Sequence, residues 1–327
     1  MAPTATLSRS DIARVVEDNT EAIRLRNEAW VNNPQIPSWV NIEDVPLDQF
    51  FTSPAVAKKC YGNMIDYLRS EKVALRSVKY LEPSAGRGAF LRLMPPSLRI
   101  GLDIMPQTEE TVRADFLSWE PEPSDLPIVV IGNPPFGYRG WLALEFLNHA
   151  AKFADYVGFI LPMAFQSEGK GSPKLRVRGM HLVHQEVLPA GSFVDEYDRP
   201  VKINALWQIW KSGEATTIDT PTCDSWIDLF TVDERKERLC GQERMAEADF
   251  FLQRTFFNEP PRPVRSFSDV RYVCGYGIVI KRDKRLVSRI LREVDWRNYS
   301  NLAAHNCHHI SMYHIRRALT DAGLIDG

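Results

Sequence analysis

Short runs of apolar residues alternate with helical patterns through the middle of the chain. Four runs predict β-strands, at residues 78–81, 99–102, 128–131 and 156–161, and an amphipathic helix is predicted from Trp141 to Phe153. Strands that alternate with helices are typical of right-handed βαβ units. The pattern therefore predicts an α/β fold with a mostly parallel sheet and helices on both faces. Such sheets bind ligands at the carboxyl ends of their strands.

The pattern differs at both ends of the chain. Residues 1–45 predict an N-terminal helical arm, and residues 46–212 contain the alternating pattern of the proposed catalytic domain. Residues 213–327 predict a smaller C-terminal domain, which we expect to recognise the substrate. Within that domain the pattern predicts a helical stretch over 233–251, a strand over 276–280 and a basic helix over 285–294.

The first predicted strand runs into a turn with two glycines, Glu82-Pro83-Ser84-Ala85-Gly86-Arg87-Gly88. Gly86 and Gly88 allow a tight turn and a close approach of the backbone to a ligand. Leu91 occupies the third glycine position of a dinucleotide fingerprint, so a pyrophosphate ligand is not required. Glu82, directly after the strand, is expected to direct its carboxylate towards a cationic group such as the ammonium of an amino acid.

Acidic residues also follow the next two predicted strands. Asp103, beside Ile104, lies where a carboxylate can accept both hydroxyl groups of a ribose. Asp115 offers an acceptor for an adenine amino group, and Phe116 offers a ring to pack against the base. An amine, a ribose and an adenine are all present in S-adenosylmethionine (SAM).

The apolar strand at 128–131 ends in the loop Asn133-Pro134-Pro135-Phe136. Two consecutive prolines fix the backbone and leave its carbonyl groups rigidly placed. The Asn133 side-chain oxygen and the Pro134 carbonyl can together accept two hydrogen bonds from one NH2 group. Phe136 offers a face on which a planar base can stack. The loop therefore predicts a site that positions an sp2 amine for alkylation.

In this order, the motifs resemble those of class I SAM-dependent methyltransferases, and the Asn-Pro-Pro-Phe loop resembles the form typical of adenine N6 methyltransferases. Phe51 and Thr52 resemble the motif that precedes the glycine turn in the gamma arrangement of the DNA enzymes, although Ser53 is an extra residue before Pro54. Residues 201–211 resemble the late strand beside the target-base pocket. The resemblance implies a seven-stranded sheet, SAM as cofactor and an adenine flipped out of a DNA duplex.

The resemblance leaves the substrate open. RNA adenine N6 methylation uses the same catalytic loop. Protein glutamine methylation also does, but that group usually has Tyr at the position of Phe136. A non-enzymatic SAM-binding module is the fourth alternative, and Asn133 and Gly86 argue against it. The C-terminal domain resembles no known recognition domain, and a restriction-modification role is an expectation from the resemblance alone.

The distribution of charge bears on the partner. The net charge is −2, but residues 258–327 carry 12 Lys and Arg against 7 Asp and Glu, which is compatible with phosphate contact. The candidate nucleic-acid contacts are Lys170, Lys174, Arg176, Arg178, Arg282 and Arg285. We expect double-stranded DNA as the partner, a homodimer as one compatible assembly, and no membrane partner.

Metal chemistry and membrane targeting have little support in the sequence. No C-x-x-C or H-E-x-x-H pattern occurs, and we expect His305, His308, His309 and His314 to serve as hydrogen-bonding or phosphate-facing residues rather than as ligands of a metal. Apolar runs are too short for a membrane span. The expected location is cytoplasmic, at the nucleoid in a prokaryote.

Overall fold

The chain divides into two structural units in the computed structural model, which describes residues 9–45, 50–168, 171–217, 222–303 and 306–326, with the backbone alone for 9–18. The first unit comprises Met1–Phe165 and Arg176–Thr216, and the second comprises Gln166–Leu175 and Thr217–Gly327. Residues 166–175, which the sequence placed in the catalytic domain, therefore group with the C-terminal part of the chain.

The first unit contains three helices and ten strands among its described residues. The helices are α1 (Arg9–Trp30), α2 (Pro54–Ser70) and α3 (Trp141–Ala150). The strands are β1 (Phe51–Thr52), β2 (Lys79–Pro83), β3 (Arg99–Asp103), β4 (Thr111–Arg113), β5 (Ile128–Gly132), β6 (Tyr156–Pro162), β7 (Met180–Val187), β8 (Phe193–Val194), β9 (Pro200–Val201) and β10 (Ala205–Ser212).

Seven of these strands form one sheet in the order β4-β3-β2-β5-β6-β10-β7. The first five are parallel to one another, and β10 is antiparallel to both β6 and β7. The predicted fold class, a mostly parallel seven-stranded sheet with helices, is confirmed. The chain leaves β2 towards β3 and β4, then returns to β5 on the other side of β2. The carboxyl ends of β2 and β5 thus flank the switch point at which such sheets bind ligands.

The main core lies between α2 and the sheet. Met64 and Leu68 of α2 are fully buried against a cluster that includes Trp207 of β10 and Phe90. Gly158 in β6 permits this packing, because a Cβ atom at that position would lie 2.5 Å from the Trp207 ring. Ser53 and Pro54 begin α2 as predicted, although Ser53 makes no side-chain capping bond.

Two segments of the chain contain 3-10 helices in place of α-helices, and one of them contradicts a prediction. The connection between β2 and β3 contains only short 3-10 helices, Leu91–Leu93 and Pro96–Leu98, because Pro95 and Pro96 cannot continue an α-helix. The prediction of a helical stretch over 233–251 was wrong. It contains the 3-10 helices Lys236–Arg238 and Gln242–Glu247 and then a strand.

The described residues of the second unit form two three-stranded antiparallel sheets with α4 (Lys284–Glu293) and α5 (Met312–Asp321). Strands β11 (Ile227–Asp233), β14 (Cys274–Ile280) and β12 (Phe250–Gln253) form one sheet, and β13 (Thr255–Phe256), β16 (His308–His309) and β15 (Asn301–Leu302) form the other. The predicted strand at 276–280 and helix at 285–294 correspond to β14 and α4. None of the described helices has the length and apolar character needed to span a membrane.

Candidate active site

A cavity of about 420 Å³ lies at the carboxyl ends of the parallel strands in the first unit. This volume is in the range of small-molecule sites. The residues predicted from the sequence that line it are Phe51, Thr52, Glu82, Ser84, Gly86, Asp103, Ile104, Asp115, Phe116, Asn133 and Pro135. The glycine turn and the Asn-Pro-Pro-Phe loop therefore face one common space. Of the other predicted residues, Pro83 is buried in β2, and Gly88 closes the turn by donating its N–H to Ala85 O at 2.7 Å.

Asp103 holds the glycine turn against the end of β3. Its Oδ2 accepts a hydrogen bond from Gly86 N, and its Oδ1 accepts one from Met105 N, both at 2.7 Å. Gly86 has a φ of 49°, which favours glycine, and a Cβ atom there would lie 3.3 Å from the Phe51 ring. Burial raises the pKa of Asp103, and the two backbone donors oppose that shift. The carboxylate is thus fixed at the edge of the cavity by two backbone bonds.

Glu82 is buried at the end of β2, with 2% of its surface exposed. Its two carboxylate oxygens accept hydrogen bonds from Phe90 N at 3.3 Å and Leu91 N at 2.5 Å. Burial raises the pKa of Glu82 to about 8, against the effect of these two donors. The positive charge of Arg92, which also lines the cavity, favours the ionised form of Glu82 but does not offset the effect of burial.

Asp115 and Phe116 line the cavity after β4. Asp115 Oδ2 accepts a hydrogen bond from Ser118 Oγ at 2.7 Å, and burial raises the pKa of Asp115. The Phe116 ring packs against Phe146 of α3, with ring centroids 5.1 Å apart. This end of the cavity therefore combines an acceptor with an aromatic surface.

Asn133 lies directly after β5, beside the end of β2. A Cβ atom at the preceding Gly132 would lie 3.3 Å from Pro83 O, so the two strand ends approach closely. Asn133 Nδ2 donates a hydrogen bond to Phe50 O at 3.2 Å, which fixes the orientation of the amide. Asn133 Oδ1 is buried and has no hydrogen-bond partner among the described residues. The loop therefore contains an acceptor oxygen that no described residue satisfies.

Phe136 and Pro134 line a separate recess beside the main cavity, together with Asn133, Pro135, Phe50, Phe193 and Ile203. Its volume is about 20 Å³, room for about one water molecule. A planar base does not fit this recess as described. Stacking of a base on Phe136 would require the recess to widen.

The hairpin of β8 and β9 closes the cavity beside Phe51. Arg87 Nη1 forms an ion pair with Asp198 Oδ1 at 2.5 Å, and Arg87 Nη2 donates a hydrogen bond to Glu196 O at 2.6 Å. The Arg87 guanidinium also lies 4.2 Å from the centroid of the Phe51 ring. Arg87 and Asp198 both line the cavity, so this contact ties the glycine turn to the hairpin at its edge.

Several cavity residues have no counterpart in the sequence prediction. They are Arg26, Trp30, Phe50, Arg87, Arg92, Met105, Gln107, Leu142, Phe146, Val194 and Asp198, with the apolar neighbours Pro54, Ala85, Ala89, Leu93 and Ala114. Arg26 and Trp30 fall in the arm that the sequence separated from the catalytic domain. Their spacing of four residues places them on one helix face, which was the only local signal.

The residues predicted to contact nucleic acid differ in their exposure and in the structural unit to which they belong. Lys170 lies outside the described residues. Lys174 belongs to the second unit, where it is buried and its Nζ lies 3.8 Å from Glu168 Oε1, so it is not available for phosphate contact. Arg176 and Arg178 are exposed in the first unit, and Arg282 and Arg285 are exposed in the second.

The histidines of the C-terminal unit are held by hydrogen bonds. His308 Nδ1 lies 3.0 Å from Ser300 Oγ, and His309 Nδ1 lies 2.9 Å from Thr255 Oγ1. His314 caps the first turn of α5 with Ser311, and burial lowers the pKa of His314 to about 4. His305 lies outside the described residues. Within the described part of the chain, no group of three or more His, Cys, Asp or Glu residues could hold a metal ion.

No known protein-family profile matches the sequence. Among solved structures, the chain is similar to the 23S rRNA methyltransferase ErmE, with 15% identity and a TM-score of 0.34. The match covers 44% of this chain and 65% of ErmE, so the chain spans less than two thirds of that protein. It is similar to the putative RNA methyltransferase PH1948 from Pyrococcus horikoshii, with 17% identity and a TM-score of 0.38 over 59% and 97% of the two chains. It is also similar to magnesium protoporphyrin IX methyltransferase (ChlM) from Synechocystis PCC 6803 with bound SAM, with 13% identity and a TM-score of 0.34 over 64% and 100%. At these identities the similarity concerns the fold alone.

Proposed function

We propose that this chain is a SAM-dependent methyltransferase that methylates an exocyclic amino nitrogen, with adenine N6 in DNA as the target. The observation that carries the proposal is the buried Asn133 Oδ1, which has no hydrogen-bond partner among the described residues and belongs to a residue that lines the same cavity as the glycine turn. A buried acceptor without a partner is uncommon in folded proteins. An amino group of a substrate would satisfy it.

The residues around the cavity match the chemical groups of SAM. Glu82 would accept the ammonium group, Asp103 the ribose hydroxyls, and Asp115 the adenine amino group, with Phe116 packed against the base. The raised pKa of Glu82 supports this assignment, because a buried carboxyl group is stabilised in its charged form by a cationic ligand. Phe51 and Thr52 would flank the end of the cofactor beside the hairpin of β8 and β9.

The loop after β5 would position the nucleophile. Asn133 Oδ1 and the Pro134 carbonyl would accept hydrogen bonds from the two N–H groups of the target amine, which aligns the nitrogen lone pair with the cavity. When bound, SAM supplies an electrophilic methyl group on its sulfonium. Transfer of that methyl group to the held nitrogen would leave a neutral thioether, S-adenosylhomocysteine, and the nitrogen would then release one proton to solvent. No general base is required, because the nitrogen becomes acidic as it is alkylated.

Helix α4 carries the features expected of a phosphate-binding surface. Val287 and Leu291 are buried on one side, whereas Arg285, Arg289 and Arg292 are exposed at spacings of four and three residues. Arg282, just before the helix, lies 5.4 Å from the centroid of the Trp226 ring. None of Arg282, Arg285 and Arg289 forms an ion pair within the described residues, so their donors are free for a nucleic-acid backbone.

One assay tests the proposed function and separates the substrates. Purified protein is incubated with SAM carrying a labelled methyl group and with duplex DNA, RNA or a protein extract, and the products are digested and analysed by mass spectrometry. N6-methyladenine in DNA is the expected product, and Asn133→Ala run in parallel should give none. Label on adenine N6 in RNA and not in DNA would identify RNA as the substrate in place of DNA. Label confined to glutamine, or no label in any arm, would contradict the proposal.

The buried Glu82 predicts a pH-dependent affinity for SAM. In the free protein the pKa of Glu82 is about 8, and a bound ammonium group lowers it, so the ligand prefers the ionised form. We therefore expect the dissociation constant to fall as the pH rises from 6 towards 8, by up to about tenfold per pH unit. Calorimetric titrations at several pH values measure this slope.

Glu82→Gln is the control for the titration. The ammonium group of the ligand titrates at about 7.7–8.0 and affects both proteins equally. The slope below pH 8 should be present in the wild type and absent in Glu82→Gln. Equal slopes in the two proteins would remove Glu82 from the cofactor site.

The exposed arginines predict the salt dependence of nucleic-acid binding. Arg282→Gln with Arg285→Gln should weaken binding of duplex DNA and reduce the slope of log K against log salt by up to about 0.9 for each lost phosphate contact. Lys72→Gln with Arg76→Gln is the matched control, because these exposed cations precede the amino end of β2 and lie at the opposite edge of the sheet from the cavity. If both pairs change the slope equally, the effect reflects net charge rather than a binding surface.

A further inference from the structure

Helix α1 is more than a peripheral arm, because its last turns enter the cavity. Ala22, Arg26 and Trp30 recur every four residues and are all buried, which defines one packed face of the helix. Arg26 and Trp30 line the same cavity as Asp103 and Asn133. The Trp30 side chain is only 3% exposed.

The position of Trp30 is set from several sides. Its ring lies edge-on to Trp141 of α3 at 6.0 Å between centroids, and the Arg26 guanidinium lies 4.9 Å from its centroid. After the helix, Asn33 Nδ2 donates a hydrogen bond to Leu117 O at 3.2 Å. The end of α1 is therefore held against the turn that contains Asp115 and Phe116, not loosely attached to it.

The indole N–H of Trp30 makes no hydrogen bond of ordinary geometry with any of the described residues. Trp30 Nε1 is buried, and its weak contact with the Asp115 carboxylate only opposes the rise in the pKa of Asp115 that burial causes. An indole N–H can only donate, so it requires an acceptor. At this end of the cavity the protein thus offers one unsatisfied donor beside one carboxylate acceptor.

We propose that Trp30 completes the nucleobase end of the cofactor site, and this proposal rests on the proposed function. Its N–H donates to a ring nitrogen of a purine, while Asp115 accepts from the neighbouring amino group. A base that carries an amine next to an acceptor nitrogen, as adenine does, matches this pair. The arm thereby contributes to the choice of an adenine nucleoside rather than only to the stability of the fold.

A matched pair of variants tests the role of the indole N–H. Trp30→Phe keeps an aromatic ring but removes the donor. Trp39→Phe is the control, because Trp39 also lies edge-on to Trp141 at 6.0 Å but is 63% exposed and does not line the cavity. We expect calorimetry with SAM to give an affinity about tenfold weaker for Trp30→Phe, as for the loss of one buried hydrogen bond, and unchanged within about twofold for Trp39→Phe.

A second measurement on the wild-type protein does not depend on the folding of a variant. The indole proton of Trp30, followed by NMR, should gain protection from hydrogen exchange when SAM is added, and that of Trp39 should not. Equal SAM affinity in both variants, or no change in the Trp30 proton, would overturn the role of Trp30 and leave the proposed function intact. Failure of the wild type to bind SAM at all would overturn both.

Discussion

Asn133→Ala is expected to reduce methyl transfer by at least about 100-fold, comparable to the loss of one preorganised polar contact in other active sites. The variant removes the unpartnered Oδ1 that would orient the amine, while Glu82, Asp103 and Asp115 remain in place. Because none of those acids is touched, the affinity for SAM should change by less than about twofold, a fraction of the effect of one hydrogen bond. Single-turnover kinetics and calorimetry measure the two quantities separately.

Asn133→Asp sharpens this test. It keeps an acceptor oxygen but loses the Nδ2 donor that bonds to Phe50 O, so the orientation of the side chain is no longer fixed. We expect activity between those of the wild type and the alanine variant. Loss of SAM binding in Asn133→Ala with transfer still present would be incompatible with the role assigned to Asn133.

Asp103→Ala should have the largest effect on cofactor affinity. Each hydrogen bond to a charged group contributes about 1.5–3 kcal/mol, and loss of the ribose contacts and of the support for Gly86 should weaken SAM binding by roughly 100-fold. Calorimetry with SAM measures this change. Thermal unfolding measures the accompanying loss of stability, which arises because the N–H groups of Gly86 and Met105 lose their acceptor.

Asp155→Ala is the control for stability in that experiment. Asp155 Oδ2 also accepts a hydrogen bond from a backbone amide, Ile128 N at 2.9 Å, but at the amino end of β5. Both variants should unfold at lower temperature, and only Asp103→Ala should lose affinity for SAM. Equal affinities would show that Asp103 acts on the fold alone.

The sequence predicted the centre of the first unit well, because its signals are local. The continuous apolar run at 128–131 became β5, and the prolines that follow it fixed the loop at the end of the strand. The alternation of strands and helices predicted the parallel sheet, and the motifs at the strand ends lie around one cavity. What each residue binds there stays a prediction.

Other features could not be predicted, because they depend on contacts between distant parts of the chain. Cys240 forms a β-bridge with Asp233 at the end of β11, where the sequence predicted a helix over 233–251. The bridge requires glycine at the next position, because Gly241 has a φ of 79° and a Cβ atom there would lie 2.1 Å from Thr231 O. The helical pattern of α1 was visible, but nothing local indicated that Trp30 would enter the cavity. The ion pair of Arg87 with Asp198 joins residues far apart in sequence, and neither lies in a pattern that signals the other.

The path of the chain between the two units affects how the protein can be dissected. Because residues 166–175 group with residues 217–327, the chain passes from one unit to the other three times. A fragment that ends at residue 216 would therefore retain this short segment without the part of the chain with which it groups. Lys174 and Ser172, which are buried in the full chain, would lose the contacts that bury them. Separate expression of the first unit calls for a short linker in place of residues 166–175, not for a single cut.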